Sequence, residues 1–214
     1  MDVFTLSVIF PVKNIAQEIS SILRLTAEQT QGINAEFLVV DMGSSDKTVW
    51  EALRVVKELK LPGAVIQSGE GTVAHALNTA LVRASGRYVS FVFARRLYTG
   101  HLTAYCSAAE ASNADIVFGT AGEPFGKEGV AVPGSVCLQG ILEEKLSVDI
   151  AAILLRRAFL EQRRLSFSEF CEYGYSEEFL LRCFCAAESA VRCEAILKRD
   201  TCLLYTSPSP RDMR

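Results

Sequence analysis

The chain has 214 residues, 50% of them hydrophobic and 22% charged, and its 22 Lys and Arg against 25 Asp and Glu give a formal net charge of −3. This is enough apolar material for one globular domain with a substantial core, and it excludes a disordered, collagenous or disulfide-stapled chain. The acidic balance offers no electrostatic track for DNA or RNA, so nucleic acid is not expected as a partner. The longest uncharged apolar stretches, such as Ile150 to Leu155, fall far short of the roughly 18 residues needed to cross a bilayer. Met1-Asp2-Val3-Phe4 lacks the basic region of a signal peptide, and a cytoplasmic protein is expected. The cysteines, at Cys106, Cys137, Cys171, Cys183, Cys185, Cys193 and Cys202, lack the paired spacing of a zinc site and read as reduced, mostly buried thiols.

Leu6-Ser7-Val8-Ile9-Phe10-Pro11-Val12 is a short apolar run closing on a proline, the pattern of a buried strand that runs into a loop. Ile15, Ile19, Ile22, Leu23 and Leu25 follow at helical spacing until Gly32-Ile33-Asn34 breaks it. Phe37 to Val40 predicts a second strand. It runs into Asp41-Met42-Gly43-Ser44-Ser45-Asp46, a turn with caps for a helix whose inward face is Val49, Leu53 and Val56. Ala64 to Ile66 predicts a third strand, Val73, Leu77, Ala80, Leu81 and Ala84 one face of a third helix, and Tyr88 to Phe93 a fourth strand. Strand and helix alternate at spacings suited to right-handed crossovers, which predicts a parallel, doubly wound sheet. Ligands of such sheets sit beyond the carboxyl ends of the strands, which places Lys13-Asn14, Asp41-Met42-Gly43 and Ala94-Arg95-Arg96 around one crevice.

After Phe118 the texture changes to a long loop rich in glycine and proline. Ile150 to Leu155 predicts a strand leading into Arg156-Arg157, and Ser176 to Ala187 a helix with Phe179, Leu180, Cys183 and Phe184 inward. Cys202-Leu203-Leu204-Tyr205-Thr206-Ser207-Pro208-Ser209-Pro210-Arg211-Asp212 resembles the translation of a transposase adapter used in preparing sequencing libraries. The expected organisation is one domain over residues 1–201, truncated at its C-terminus, followed by a non-native tail over residues 202–214.

Four blocks taken together resemble the successive motifs of the family 2 glycosyltransferases. They are Ser7 to Asn14, Val39 to Thr48, Ala76-Leu77-Asn78 and Ala84 to Tyr88, with a weaker echo through Ile153 to Arg157 and Phe179 to Arg182. The resemblance implies a GT-A fold, an α/β architecture with a Rossmann-like, doubly wound, mainly parallel sheet and helices on both faces. It also implies a nucleoside-diphosphate sugar, in the first place a UDP-sugar, whose sugar passes to a hydroxyl acceptor by an inverting displacement. The acceptor would be a glycan or lipid-linked. On the matching positions the nucleotide-sugar site falls on Pro11, Val12, Lys13, Asp41, Met42, Ser44, Asn78, Ala94, Arg95 and Arg96. Residue chemistry agrees at Asp41 and Ser44, whose hydrogen-bonding groups suit a base and ribose.

The departures from the pattern carry equal weight. Where the family reads a second acid that helps recognise the base, this chain has Met42. Where it reads the Asp-x-Asp triplet that holds Mg²⁺ or Mn²⁺, this chain has Phe93-Ala94-Arg95 followed by Arg96. Divalent cations of this kind need hard oxygen ligands, so no metal and no other cofactor is expected. The family's Glu-Asp pair, which supplies the catalytic base, falls on Tyr175-Ser176, neither of which takes a proton from a sugar hydroxyl near neutral pH unaided. Glu177 and Glu178 follow directly and are the candidate bases; their alternative role is a solvated first helical turn that complements the dipole. Two readings remain open. In one, a guanidinium of Arg95 or Arg96 replaces the metal and grips the diphosphate, giving a metal-independent transferase. In the other, the site is dead and the domain is a pseudoenzyme that binds or scaffolds an active transferase in glycan assembly. In either reading a missing C-terminal part could hold the chain peripherally at the inner membrane face. A crevice filled by Met42 and Phe93 would exclude a uridine; an open one with Arg95 inward would admit it.

The other polar candidates are weaker. His75 could reach a phosphate or be structural, His101 is expected to start a surface helix, and Arg156 and Arg157 could meet an anionic acceptor or form a solvated pair. Asp149 is a cap or a functional group, and Cys183 and Cys185 point too far apart on a helix for a joint metal site.

Overall fold

The computed structural model describes residues 4–120, 125–171, 173–194 and 198–199; the adapter-like tail over 202–214 lies outside the described residues. The first half follows the predicted alternation: β1 (Phe4–Val12), α1 (Ile19–Gln29), β2 (Ala35–Asp41), α2 (Thr48–Glu58), β3 (Gly63–Gln67), α3 (Val73–Arg83) and β4 (Gly86–Phe91). Then come β5 (Tyr98–Thr99), α4 (Leu102–Ser112), β6 (Ile116–Phe118), β7 (Ala131–Val132), α5 (Gly134–Leu142), a 3₁₀ turn (Ile150–Ala152), β8 (Ile153–Arg156), α6 (Arg157–Gln162), α7 (Tyr175–Ala186), β9 (Ala190–Arg192) and β10 (Lys198–Arg199). One sheet runs in the order β3-β2-β1-β4-β8-β6-β9-β7, while β10 pairs with β5.

The sheet is doubly wound because both faces of its central strands are apolar. Leu6, Val8, Phe10 and Val12 of β1 pack with Phe37 and Val39 of β2 under α1, α2 and α4. On the opposite face Ile9, Leu38, Val40, Val89 and Phe91 pack under α3 and α7, where Phe167 stacks on Phe179 at 3.9 Å. Strands β1 to β4 are mutually parallel, but β8 is antiparallel to both β4 and β6, so the sheet is mixed. That reversal decides where the site's later residues lie. Because Val89 faces Leu155 and Tyr88 faces Arg156, the chain enters β8 from the carboxyl end of β4, and Ser90 Oγ fixes the entry by donating to the Ile153 carbonyl at 2.9 Å.

Several sequence expectations shift. Ile150 to Ala152 form a 3₁₀ turn rather than the start of a strand, because the Asp149 carboxylate accepts from the Ala151 N–H at 2.9 Å and winds the chain there. Helix α2 buries Thr48, Ala52 and Val55 rather than Val49, Leu53 and Val56. The Thr48 hydroxyl accepts from the Ile15 N–H at 2.8 Å, which rotates the helix about that contact and leaves Leu53 exposed. The fourth strand ends at Phe91, and the chain then turns so that the Arg96 N–H donates to the Phe93 carbonyl at 3.0 Å. Helix α5 begins at Gly134, where the expected loop ends: a Cβ on Gly134 would stand 2.2 Å from the Phe184 carbonyl oxygen, so only glycine lets α5 lie this close to α7. Among the described residues no helix is long and apolar enough to cross a membrane.

The Glu36 carboxylate ties three strands together at the amino end of the sheet. Its Oε1 accepts from Ser7 Oγ at 2.6 Å, from the Ser85 N–H at 2.7 Å and from Ser85 Oγ at 2.9 Å, and Ser7 Oγ accepts in turn from the Gly86 N–H at 2.9 Å. Glu36→Ala leaves these buried donors without a partner, and chemical denaturation should show a loss of about 2–4 kcal/mol. His101 is the other buried polar group with consequences. Expected at the surface, it is 2% exposed because α4 tucks its first turn under the sheet, its ring lies edge-on to Tyr105 at 5.0 Å, and both ring nitrogens are unpartnered among the described residues. Burial pushes its pKa down to about 4. The folded value lies below the unfolded one, so the unfolded chain binds the extra proton and stability falls as pH drops from about 6.5 towards 4. Thermal melts of the chain and of His101→Phe across this range should diverge, with the variant losing less stability in acid.

Candidate functional site

The site lies beyond the carboxyl ends of β1, β2 and β4, where two loops are fastened to each other. Asn14 adopts a left-handed conformation with φ of 52°. Its N–H donates to Ser44 Oγ at 2.9 Å and its Oδ1 accepts from the Ser45 N–H at 2.8 Å. The Ala16 N–H reaches Asp46 Oδ2 at 3.1 Å, and Asp46 Oδ1 accepts from the Thr48 N–H at 2.9 Å. Partial burial opposes ionisation of Asp46, but the bonds from Thr48 and Ala16 outweigh it and hold its carboxyl below the usual range. Asp41, 3% exposed, closes its own turn by accepting from the Gly43 and Ser44 N–H groups, each at 3.2 Å. Gly43 takes the positive φ of 77° that this turn requires.

The fastened loops border an open cleft of about 810 Å³. Pro11, Lys13, Met42, Ala94, Arg95 and Arg96, six of the sequence-predicted residues, line it. Met42 is 8% exposed and packs into the core below, so with Phe93 it forms a wall of the cleft rather than filling it. Val12, Asp41 and Ser44 stand behind the lining: Val12 is buried in the core, and the other two build the turn just described. Asn78 lies apart. Its side chain accepts from the Phe167 N–H at 2.8 Å, donates to the Phe167 carbonyl at 2.9 Å and reaches Glu169 at 2.9 Å, an arrangement that holds the 166–169 segment to α3.

The cleft is electropositive. Lys13 and Arg95 are exposed and make no ion pair or hydrogen bond among the described residues, and Glu18 is the one carboxylate among the described lining residues. The Arg96 guanidinium lies 5.3 Å from the Phe93 ring, and its Nη1 is 3.6 Å from Asp149 Oδ1. Asp149 also accepts from the Tyr98 hydroxyl at 3.1 Å. Burial pushes the Tyr175 phenol up, and the neighbouring Arg96 cation works against that rise. These side chains do not fit a divalent cation: Phe93, Ala94 and Arg95 carry no side-chain oxygen, and among the described residues no three His, Cys, Asp or Glu side chains gather to hold an ion.

The two candidate bases have different surroundings. Glu177 is exposed, accepts from Ser176 Oγ at 2.8 Å and borders a second cavity next to the cleft, with Arg96 in the wall of both. Glu178 is held in a two-pronged ion pair with Arg182 one helical turn on. Among the weaker candidates, His75 Nδ1 pairs with Glu169 Oε2 at 3.0 Å. Arg156 pairs with the buried Asp115, and Arg157 donates to the Gly86 carbonyl at 2.7 Å and pairs with Glu161. Cys183 is buried, its thiol pushed up to about 12, whereas Cys185 is exposed. Sequence reasoning named Arg96, Asp149 and Glu177 singly but did not foresee that they border one cavity. Its wall residues Glu144, Leu146 and Ser147 carry no motif that would have joined the three.

The profile described as glycosyl transferase family 2 matches residues 7–144, more than half of the chain. No curated protein matches the chain. Among solved structures, S. aureus TarS 1-349 superposes with a TM-score of 0.69 at 22% identity, over 89% of this chain and 58% of that one. The mannosyltransferase PcManGT from Pyrobaculum calidifontis, solved with GDP-Man and Mn²⁺, gives 0.63 at 21% identity, over 89% and 55%. Glucosyl-3-phosphoglycerate synthase from Mycobacterium tuberculosis, solved with Mn²⁺, UDP and glucosyl-3-phosphoglycerate, gives 0.61 at 18% identity, over 98% and 74%. The chain thus spans little more than half the length of the first two, and at these identities the likeness shows the fold, a GT-A architecture. The motif-bearing strands, the cleft at their carboxyl ends and the profile over residues 7–144 lead to one conclusion, that the chain belongs to glycosyl transferase family 2.

Proposed function

We propose that the chain binds a nucleoside-diphosphate sugar in the 810 Å³ cleft without a divalent metal, and that it transfers the sugar to a hydroxyl acceptor. The observation that carries this reading is the pair of unpaired cations, Lys13 and Arg95, in an open cleft where the family's metal ligands would stand. A guanidinium keeps its charge at every working pH and can hold two diphosphate oxygens at once, so Arg95 supplies the stabilisation that a leaving diphosphate needs. Met42 and Phe93 offer apolar walls to the base in place of the missing acid. Nucleotide-sugar binding by TarS, solved with UDP-GlcNAc, and by the mannosyltransferase, solved with GDP-Man, supports the donor class. Glu177 is the proposed base. It faces the cavity beside the cleft and keeps carboxylate capacity free, while Glu178 is engaged by Arg182.

Calorimetric titration of the full chain with UDP and GDP, each with Mn²⁺ and with EDTA, tests the donor reading. UDP should bind equally well in EDTA, and Arg95→Ala should weaken it about 10- to 100-fold, the loss expected for a charge-assisted pair. A folded protein that binds neither nucleotide would overturn the transferase reading and return the domain to a scaffold in glycan assembly. Release of UDP from UDP-sugars tests the base. Glu177→Gln should slow it by about 100-fold or more with UDP affinity kept, whereas Glu178→Gln should leave the rate and cost α7 only about 0.3–0.5 kcal/mol.

A further inference from the structure

The second cavity, of about 540 Å³, adjoins the cleft through the shared Arg96. We propose that it holds the acceptor, and that the acceptor is an uncharged alcohol with an aliphatic body; the inference rests on the donor reading above. Leu146, Ile150 and Leu180, 4%, 1% and 6% exposed, form the apolar floor, and Ile141, Val148 and Leu181 are half-buried around it. No aromatic ring is among the described lining residues, so the cavity has no platform on which a pyranose ring would stack. Its size falls within the range of about 300–1,000 Å³ typical of sites for small ligands.

The charges select against an anion. Glu144, Asp149 and Glu177 border the cavity, and Arg96, the one cation among its described lining residues, already faces Asp149 at 3.6 Å. A phosphate or carboxylate on the acceptor would meet three like charges and gain no free cation. Arg156 and Arg157, the residues that an anionic acceptor would have needed, are engaged elsewhere by Asp115, by the Gly86 carbonyl and by Glu161. Glu177 stands where a hydroxyl can approach: its Oε2 accepts from Ser176 Oγ at 2.8 Å, and its Oε1 makes no hydrogen bond among the described residues. With the aliphatic body on Leu146, Ile150 and Leu180, the alcohol O–H proton passes to Glu177. The oxygen forms a bond to the anomeric carbon as the bond from that carbon to the diphosphate breaks, and the electron pair leaves with the diphosphate on the side of Arg95 and Lys13.

The test is equilibrium binding to the full chain of three probes, 1-octanoylglycerol, octyl phosphate and glycerol, each below its micellar concentration, with UDP titrated into the same samples. The expected result is saturable binding of octanoylglycerol, binding of octyl phosphate weaker by about tenfold or more, and none of glycerol. Leu181→Asp, on the half-buried rim, should abolish octanoylglycerol binding and leave UDP binding unchanged. Octyl phosphate binding as tightly as octanoylglycerol would overturn the proposal, as would octanoylglycerol binding that Leu181→Asp does not alter. UDP binding without any alcohol binding would overturn this inference alone. Alcohol binding sensitive to Leu181→Asp, in a protein that does not bind UDP, would overturn the donor reading and leave the alcohol site standing.

Discussion

Glu36 sits at the start of β2, 6% exposed, with its Oε1 shared by three donors from β1 and from the turn before β4. A buried carboxylate is tolerated only where such bonds replace its hydration, so this contact admits very little sliding of one strand against another. Gly86 tightens the constraint, because a Cβ there would lie 2.5 Å from the Ser7 nitrogen. With Ser7 opposite Glu36 in the ladder, Val12 comes opposite Asp41, and the Met42 N–H donates to the Val12 carbonyl at 2.9 Å. The carboxyl ends are thereby flush. A slip by one residue would turn every inward side chain of β1 to the other face and separate the two loops that Asn14, Ser44 and Asp46 fasten together.

The electrostatics of the crevice follow from what surrounds these flush ends. A site built for a divalent ion gathers carboxylates at the end of the fourth strand; here that end carries two arginines, with Lys13 across the cleft. Fixed cations need no ligand set and cannot be chelated away, but they cannot polarise an oxygen as a Lewis acid does. The chemistry open to the proposed site is therefore stabilisation of negative charge on a diphosphate. Arg96 stands between the two cavities, tethered on one side to Asp149 and on the other to the Phe93 ring. That position depends on the reversed strand β8, which delivers Asp149 and the 3₁₀ turn to the carboxyl end of an otherwise parallel group.

Much of the first hundred residues was legible. Alternating strand and helix periods gave β1 to β4 in order, and the strand-end rule together with the motif blocks brought together six residues that line the cleft. The misreadings trace to particular tertiary contacts. In α2, apolar periodicity pointed to Leu53 and Val56, but Thr48 is the residue anchored to the neighbouring loop, and a hydrogen-bonded threonine outweighs a leucine that solvent tolerates at a helix surface. Asn78, read as part of the donor site, is turned to the 166–169 segment, a pairing 89 residues apart in sequence. His101 looked like a polar helix start and lies buried, because the cap position of α4 faces inward under the sheet.

The sequence by itself determined the α/β alternation, the family resemblance and the lack of any acidic side chain at Phe93-Ala94-Arg95, because each is a property of residue type and short-range spacing. Only the tertiary structure decided that the crevice is open beside Met42, that Glu177 and not Glu178 borders a cavity, and that Arg96 joins two cavities. Those facts depend on the direction of β8 and on contacts between residues tens of positions apart, and local hydrophobic patterning carries no information about either.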